Sequence, residues 1–249
     1  MSDGTGLHSN PIADNILDKL SRKDRFQHYY DNFLAREKRL IEEKIAPIIP
    51  RGRILNVGCG GNGTERSLFP PACYDIFGVD VNEKALRTLR TKRLYNALCQ
   101  ADIASLPFAS NSFDIVYLRL VLHHLIYPRN ILDEGLRECF RVLTHGGILA
   151  MVEPNSWHPV GALMNLAHRL GIDLYIHGTN DDVALSPSTM VILLSSHAMN
   201  VSAYAITYNW RRLPIPVQRI VDRCHASLET ISSRWPYLGH TLMMMAHKR

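Results

Sequence analysis

No run of about 18 apolar residues occurs in the chain, so no segment reads as a membrane span. Met1–Ile12 lacks the basic-then-apolar layout of a secretory signal. There is no CxxC pair either. The five cysteines, at 59, 73, 99, 139 and 224, are scattered and odd in number, which argues against a zinc ribbon and a full set of disulfides. Free thiols in a reducing cytoplasm are the expectation, with no metal site. Gly at 15 and Pro at 13 in 249 residues exclude collagen-like or low-complexity sequence, and 46% hydrophobic residues against 20% charged ones exclude global disorder. The net charge of +5 admits an acidic partner. Its densest cluster, Lys84, Arg87, Arg90, Lys92 and Arg93, carries no interleaved aromatics on which bases could stack, so it reads as the solvated face of one helix and not as a nucleic-acid surface.

What is present is a change of rhythm. Over Asp24–Ile49, Phe26, Tyr30, Phe33, Leu34, Leu40, Ile41, Ile45 and Ile48 recur at helical spacing, predicting one or two helices ended by Pro50. The start of the chain before them, to about Lys23, is polar and reads as flexible. Short apolar runs then alternate with amphipathic stretches: Arg53–Val57, Tyr74–Val79, Tyr95–Gln100, Phe113–Leu118 and Gly147–Val152 as strands, with Asn82–Leu94 and Pro128–Leu143 as helices between them. In the second helix Leu132, Leu136, Phe140 and Leu143 share a face. Such alternation predicts a parallel sheet covered on both sides. Further on, Trp157–Leu170 reads as a helix, His177–Ser186 as a polar loop, and Pro187–Ala198 as a helix capped by Ser186. Val201–Tyr208 and Leu238–Ala246 read as strands flanking a helical insert over Arg211–Arg234, and Leu242-Met243-Met244-Met245 as a core strand.

The sharpest local feature is Ile54-Leu55-Asn56-Val57-Gly58-Cys59-Gly60-Gly61-Asn62-Gly63, an apolar strand running into four glycines. Glycines there let the chain turn sharply and let backbone N–H groups approach a ligand. Asp80 ends the next apolar run, where a carboxylate accepts hydrogen bonds from ribose hydroxyls. Together they predict an adenosine-type nucleotide site at the carboxyl edge of the sheet. Gly58-x-Gly60-x-x-Gly63 also satisfies the dinucleotide fingerprint, so a nicotinamide oxidoreductase stays open on these letters. Asp102, after the third apolar run, stands where a carboxylate meets an adenine amino group.

On these residues the chain resembles the class I S-adenosylmethionine-dependent methyltransferases, in the subgroup of quinone-biosynthesis C-methyltransferases and small-molecule enzymes. The resemblance is specific over about Arg51–Glu153. It implies a Rossmann-like, doubly wound, seven-stranded α/β sheet, mostly parallel with an antiparallel last strand, in one domain: a helical lid over 1–50, a cofactor core over 51–153 and a substrate cap with the last strands over 154–249. It implies S-adenosyl-L-methionine as cofactor, held by Gly58, Gly60, Gly61, Gly63, Asp80 with Val81, Asp102 with Ile103, and Leu118. Asn56 stands where the family places Asp or Glu to orient the methionine amino group; it keeps the acceptor and loses the charge. His145-Gly146-Gly147 replaces the usual Pro-Gly-Gly turn. The implied activity is methyl transfer to a small molecule, such as a bacterial secondary metabolite or sugar; a regulatory protein that binds cofactor without turnover is the alternative. The amino-methylating Asn/Asp-Pro-Pro-aromatic signature is absent.

Methyl transfer from a sulfonium depends chiefly on alignment, and a base is needed only for a hydroxyl, an acidic carbon or a protonated amine. His123 and His124, after the fourth strand, and His158, past the fifth, are the candidate bases, with structural roles as the competing reading. Glu153 and Asn155 are expected at the substrate mouth. Tyr30, with Tyr29, Phe26 and Phe33, either forms a lid or packs the first helix on the sheet. His177, His197 and His225 are assigned to the variable cap or the surface.

Overall fold

Continuous apolar runs become central strands here because both sheet faces are covered. The computed structural model describes residues 11–125, 131–171, 184–232 and 236–249. Helix α1 (Pro11–Lys44) leads into β1 (Gly52–Val57), a short α2 (Glu65–Leu68), β2 (Tyr74–Asp80), α3 (Glu83–Lys92), β3 (Ala97–Gln100) and β4 (Phe113–Arg119). There follow α4 (Leu132–Val142), β5 (Leu143–Pro154), α5 (Pro159–Arg169), α6 (Pro187–Ser195), β6 (Ala198–Thr207), α7 (Ile215–Arg223), α8 (His225–Ser232) and β7 (Thr241–Lys248). The sheet order is β3-β2-β1-β4-β5-β7-β6, with β7 antiparallel to both of its neighbours and every other pair parallel. This is the expected seven-stranded, mostly parallel architecture. The chain reverses direction across the sheet between β1 and β4, which opens a crevice at their carboxyl ends where ligands bind in such sheets.

Side chains alternate between the two covered faces. In β4, Ile115 and Tyr117 pack under α1 beside Phe33, Leu40, Ile41 and Ile45, while Val116 and Leu118 face α4 and α6 through Leu136, Phe140, Met190 and Leu194. Met243 and Met245 lie on the first face, Leu242 and Met244 on the second, so the Met-rich run is core, as its composition suggested. Leu132, Leu136, Phe140 and Leu143 are all buried.

Several boundaries moved. The first helix already begins at Pro11, so much of the segment that reads as flexible is helical; residues 1–10 lie outside the described residues. The third strand starts at Ala97, because Tyr95 turns its ring toward β1 and Asn96 accepts the Ile76 N–H through its side chain. The fourth helix starts at Leu132, and its predicted first residues, 128–130, lie outside the described set. Ser186 occupies the N-cap position of α6 without capping it: its hydroxyl bonds Ser188 Oγ at 2.7 Å instead. Most of the predicted loop over His177–Ser186, with His177 itself, falls outside the described residues. The late insert is two helices, tied to α1 by Asp222, which accepts from Arg36 at 2.8 Å, Asn209 at 2.8 Å and His28 at 3.0 Å. All five cysteines are free thiols.

Candidate active site

The glycine turn is built by its backbone. Gly58 (φ +68°), Gly60 (φ +56°) and Gly63 (φ +70°) occupy the left-handed region that side chains disfavour. Gly58 and Cys59 donate to Val79 O at 2.8 and 3.0 Å, which ties the turn to the end of β2. Asp80 holds it from the other side: Oδ2 accepts the Gly60 N–H at 2.7 Å and Oδ1 the Asn82 N–H at 2.8 Å. Asn82 caps α3 in turn, accepting from Lys84 and Ala85. From the last turn of α3, Lys92 Nζ donates to Gly61 O at 2.9 Å and Asn62 O at 3.0 Å. One member of the basic cluster therefore braces the glycine turn, a role its helical spacing did not show.

Beside the turn lies a cavity of about 360 Å³ lined by Val57, Gly58, Asp80, Val81, Ala101, Asp102, Ile103, Leu120, Val121, His124, Leu125 and Ile131, among others. Carboxylates at Asp80 and Asp102 face it across apolar walls, the arrangement a flat adenine and a ribose diol require. Of the predicted cofactor residues, Gly58, Asp80, Val81, Asp102 and Ile103 line this cavity; Gly60, Gly61 and Gly63 form the adjoining turn. Leu118 lies behind the wall, fully buried in the core.

Asn56 does not line the cavity. It is 1% exposed, and its Nδ2 donates to Tyr95 Oη at 2.8 Å, which donates to Glu65 Oε2 at 3.1 Å. Its Oδ1 has no partner. Strand register sets Asn56 beside Tyr117, two residues before Arg119, whose buried Nη2 is likewise without a partner. The rest of Arg119 is committed. Its Nε donates to Glu37 Oε1 and Oε2 at 2.9 and 3.0 Å, and the Tyr117 hydroxyl also donates to Glu37. Burial pushes the Glu37 carboxyl above its ordinary range, with the Arg119 guanidinium and the Tyr117 hydroxyl pulling against that rise. A buried orphan acceptor and a buried orphan donor at the ends of neighbouring strands are what an amino-acid head group, ammonium and carboxylate, satisfies. The open side of Gly60, where a Cβ meets nothing within 4 Å, leaves room for a ligand to approach the backbone. On these three observations the residues fit S-adenosylmethionine.

The candidate bases separate in space. His123 is buried, with Nδ1 2.7 Å from Glu153 Oε2. Glu153 Oε1 also accepts the N–H groups of Val121 and Leu122 at 2.8 and 2.7 Å. The pair therefore ties the turn after β4 to the end of β5. His124 lines the cavity beside the glycine turn, its ring centroid 4.0 Å from that of His123. His158 Nδ1 accepts the Val160 N–H at 3.3 Å at the start of α5, and burial lowers its pKa below that of an ordinary imidazole. Asn155 is loop support, donating to Tyr237 O and Gly239 O and accepting from Trp157 N. His197 stacks on Phe140, and His225 packs against Tyr208 with its pKa pushed down to about 4 by burial.

A second, small space of about 30 Å³ lies under α1, lined by Tyr29, Tyr30, Phe33, Leu120, Pro154, Trp210, Arg211, His240 and Thr241. Tyr30 lines it, and Tyr29 and Phe33 are also buried in the core under α1, which is the packing reading. Trp210, Arg211, His240 and Thr241 were not singled out from the sequence. Leu120 lines this slot and the cavity beside the glycine turn alike. It holds φ +59° with its N–H bonded to Val152 O at 2.8 Å, an uncommon conformation for leucine.

Comparison with known proteins agrees with this geometry. Residues 55–151 match the model of the methyltransferase domain family. A probable S-adenosylmethionine-dependent methyltransferase of Mycobacterium tuberculosis is 29% identical over 125 residues, covering 50% of this chain and 44% of the relative. A demethylmenaquinone methyltransferase of Clavibacter sepedonicus is 32% identical over 163 residues, covering 64% and 58%. The chain thus spans about half the length of the curated relatives it matches. The crystal structure of an S-adenosylmethionine-dependent methyltransferase of Thermotoga maritima, a possible histamine N-methyltransferase, superposes with a TM-score of 0.60 at 13% identity, over 92% of this chain and 99% of that one, which shows the fold. Over residues 55–151 the chain matches the methyltransferase domain family, and its fold is the one seen in S-adenosylmethionine-dependent methyltransferases.

Proposed function

We propose that the chain transfers the methyl group of S-adenosylmethionine to a small-molecule acceptor seated in the slot beneath α1. The observation that carries this reading is the shared wall at Leu120: the nucleotide-type cavity and the aromatic slot meet at one residue, as two reactants brought into line require. The bound cofactor supplies a methyl on a positively charged sulfur; the acceptor's electron pair forms the new bond as the S–CH₃ pair returns to sulfur. The protein's own residues do the rest. Asp80 and Asp102 take the ribose and adenine ends, Asn56 and Arg119 offer the acceptor and donor for the amino-acid end, and Leu120 sets the separation between the two reactants. Tyr29, Tyr30, Phe33 and Trp210 exclude water from the slot. Nothing favours a nicotinamide over this cofactor, although both share the glycine turn.

Binding of S-adenosylhomocysteine, measured by titration calorimetry, tests the reading. Asp80→Ala removes a charge-assisted acceptor worth about 1.5–3 kcal/mol and also frees two backbone N–H groups, so affinity should fall at least about tenfold. Unchanged affinity in a folded Asp80→Ala variant would remove Asp80 from the site, and no binding by the unaltered chain would remove the cofactor.

The histidines give a second test. His123 is held by Glu153 and His124 lines the cavity beside the glycine turn, while His158, at the α5 terminus, packs edge-on behind the slot residue His240 with ring centroids 5.1 Å apart, so none of the three is itself among the slot lining. In a tritiated-methyl assay, each single replacement by alanine should cost less than about tenfold in kcat. His240, buried in the slot with Nδ1 3.1 Å from Thr241 Oγ1, is placed to touch the acceptor. If a base is used, His240→Ala should lose roughly 10²–10⁴-fold in kcat at unchanged cofactor affinity. A loss of that size at His123 or His158 instead, in folded variants, would contradict the placement.

A further inference from the structure

We infer that Glu65 supplies the negative charge for the amino group of the cofactor's amino-acid end, acting as a positioning residue through Tyr95 and Asn56. The inference rests on the S-adenosylmethionine reading of the site and deepens it by naming the counter-charge. It starts from a buried carboxylate without a cation. Glu65 is 7% exposed, and its side chain accepts from the Tyr95 hydroxyl and from no basic group among the described residues. The basic side chains of this region are engaged elsewhere. Arg119 holds Glu37, Arg66 Nη1 donates to Tyr74 O at 3.1 Å, and Lys92 braces the glycine turn. Buried carboxylates are ordinarily paired, so one that lacks a cation marks a place where a cation binds.

One tyrosine joins this carboxylate to Asn56. Tyr95 Oη donates to Glu65 Oε2 at 3.1 Å and accepts from Asn56 Nδ2 at 2.8 Å. Burial, and after it the Glu65 charge, push the Tyr95 phenol well above its ordinary pKa, so the hydroxyl keeps its proton. The direction of the chain is then fixed. A carboxylate only accepts and a tyrosine has one proton to give, so the tyrosine oxygen must take its second bond from an N–H. Nδ2 of Asn56 therefore faces Tyr95, and Oδ1 is the atom left buried without a partner. Room for the ring comes from Gly78, where a Cβ would stand 3.0 Å from Tyr95 Cδ1.

Hydrogen bonds in a row polarise one another. The carboxylate draws on the Tyr95 proton, the tyrosine oxygen draws on the Asn56 N–H, and the amide oxygen gains negative character. The orphan acceptor is thus backed by a charge two hydrogen bonds away, and a charged N–H donor gains most from it. One amide oxygen and one carboxylate behind a tyrosine are too few ligands for a hard metal ion, which takes six or more oxygens. A primary ammonium fits, and the orphan Nη2 of Arg119 is left for the carboxylate of the same zwitterion.

Titration calorimetry on the full chain tests this with two ligands: S-adenosylhomocysteine and its analogue with hydrogen in place of the amino group. The unaltered chain should bind the amino compound at least about tenfold more tightly. Glu65→Gln keeps the shape and the bond from Tyr95 but removes the charge. It should weaken S-adenosylhomocysteine about tenfold and change the analogue by less than about twofold, whereas a merely structural role would weaken both alike. Should that variant not fold, Tyr95→Phe cuts the same chain and should show the same selective loss. Adding Asn56→Asp to Glu65→Gln returns a carboxylate to the other side of the tyrosine and should restore most of the preference. A preference that survives Glu65→Gln, an equal loss of both ligands, or no recovery in the double variant would overturn the inference. Absence of S-adenosylhomocysteine binding by the unaltered chain removes the cofactor reading, while binding without an amino preference removes the role of Glu65 alone.

Discussion

Gly60→Val will abolish measurable binding of S-adenosylhomocysteine while leaving the chain folded. Gly60 holds φ +56°, and a Cβ built there meets nothing within 4 Å. The substitution therefore creates no clash inside the protein. Its cost to folding is that of a β-branched residue in the left-handed region, about 1–3 kcal/mol. The new side chain instead stands on the open side of the turn, next to the Asp80 carboxylate that accepts the Gly60 N–H, where a ligand must come close to the backbone. The neighbouring glycines behave differently. A Cβ at Gly58 comes within 2.5 Å of Val121 Cγ2, and one at Gly63 within 2.6 Å of Leu94 Cδ1, so substitutions there strain the packing first. The contrast makes the experiment specific. Calorimetry on Gly60→Val should show no heat of binding at ligand concentrations that saturate the unaltered chain, and a thermal melt should show a folded protein. Stabilisation by S-adenosylhomocysteine persisting in this variant would contradict the cofactor assignment.

The glycine turn and the cavity beside it were legible because they are local. A strand, a glycine turn and the ends of the next two strands lie close along the chain, and each leaves a mark: an apolar run, glycines where φ is positive, and a carboxylate just past an apolar run. Asp80, Asp102 and the turn could be found without coordinates. The slot under α1 is not local. Tyr29 and Tyr30 come from α1, Leu120 from the end of β4, Trp210 and Arg211 from the β6–α7 segment, and His240 from just before β7; only the strand order and the antiparallel β7 bring them together. No spacing rule joins residues so far apart. The surroundings of the histidines were hidden for a different reason. Paired histidines after a strand read alike whether they face a cleft or a carboxylate, and the partner that decides, Glu153, lies 30 residues on. Burying that carboxylate makes a hydrogen-bonding partner obligatory, and His123 with two backbone N–H groups supplies it. Ser186 shows the same limit at small scale: its hydroxyl was taken by Ser188 instead of the helix end.

Glu37→Ala will destabilise the chain more than the loss of any apolar contact around it suggests, by about 3–5 kcal/mol, because it strands a buried guanidinium. Glu37 is fully buried, and the Arg119 side chain is 11% exposed. Arg119 has its Nε on both Glu37 oxygens and already leaves Nη2 without a partner, so Glu37 is the carboxylate it hydrogen-bonds. Tyr117, buried at 0% exposure, loses its acceptor in the same step. For a chain of this size the loss corresponds to a fall in melting temperature on the order of 10 °C. Glu37→Gln keeps a carbonyl oxygen for one of the two donors and should cost distinctly less, about 1–3 kcal/mol. The effect reaches the site through geometry: the Arg119 guanidinium lies 5.2 Å from the centroid of the Phe33 ring, and Phe33 and the adjoining Leu120 both line the slot. Loosening Arg119 therefore loosens the Leu120 wall between the cavity and the slot, so on the proposed reading Glu37→Gln, where it remains folded, should raise the acceptor KM more than that of the cofactor. Urea titrations of the two variants check the stability order. Equal stability of Glu37→Ala and the unaltered chain would show that the ion pair contributes nothing to the fold, and would remove Glu37 as the support of the slot.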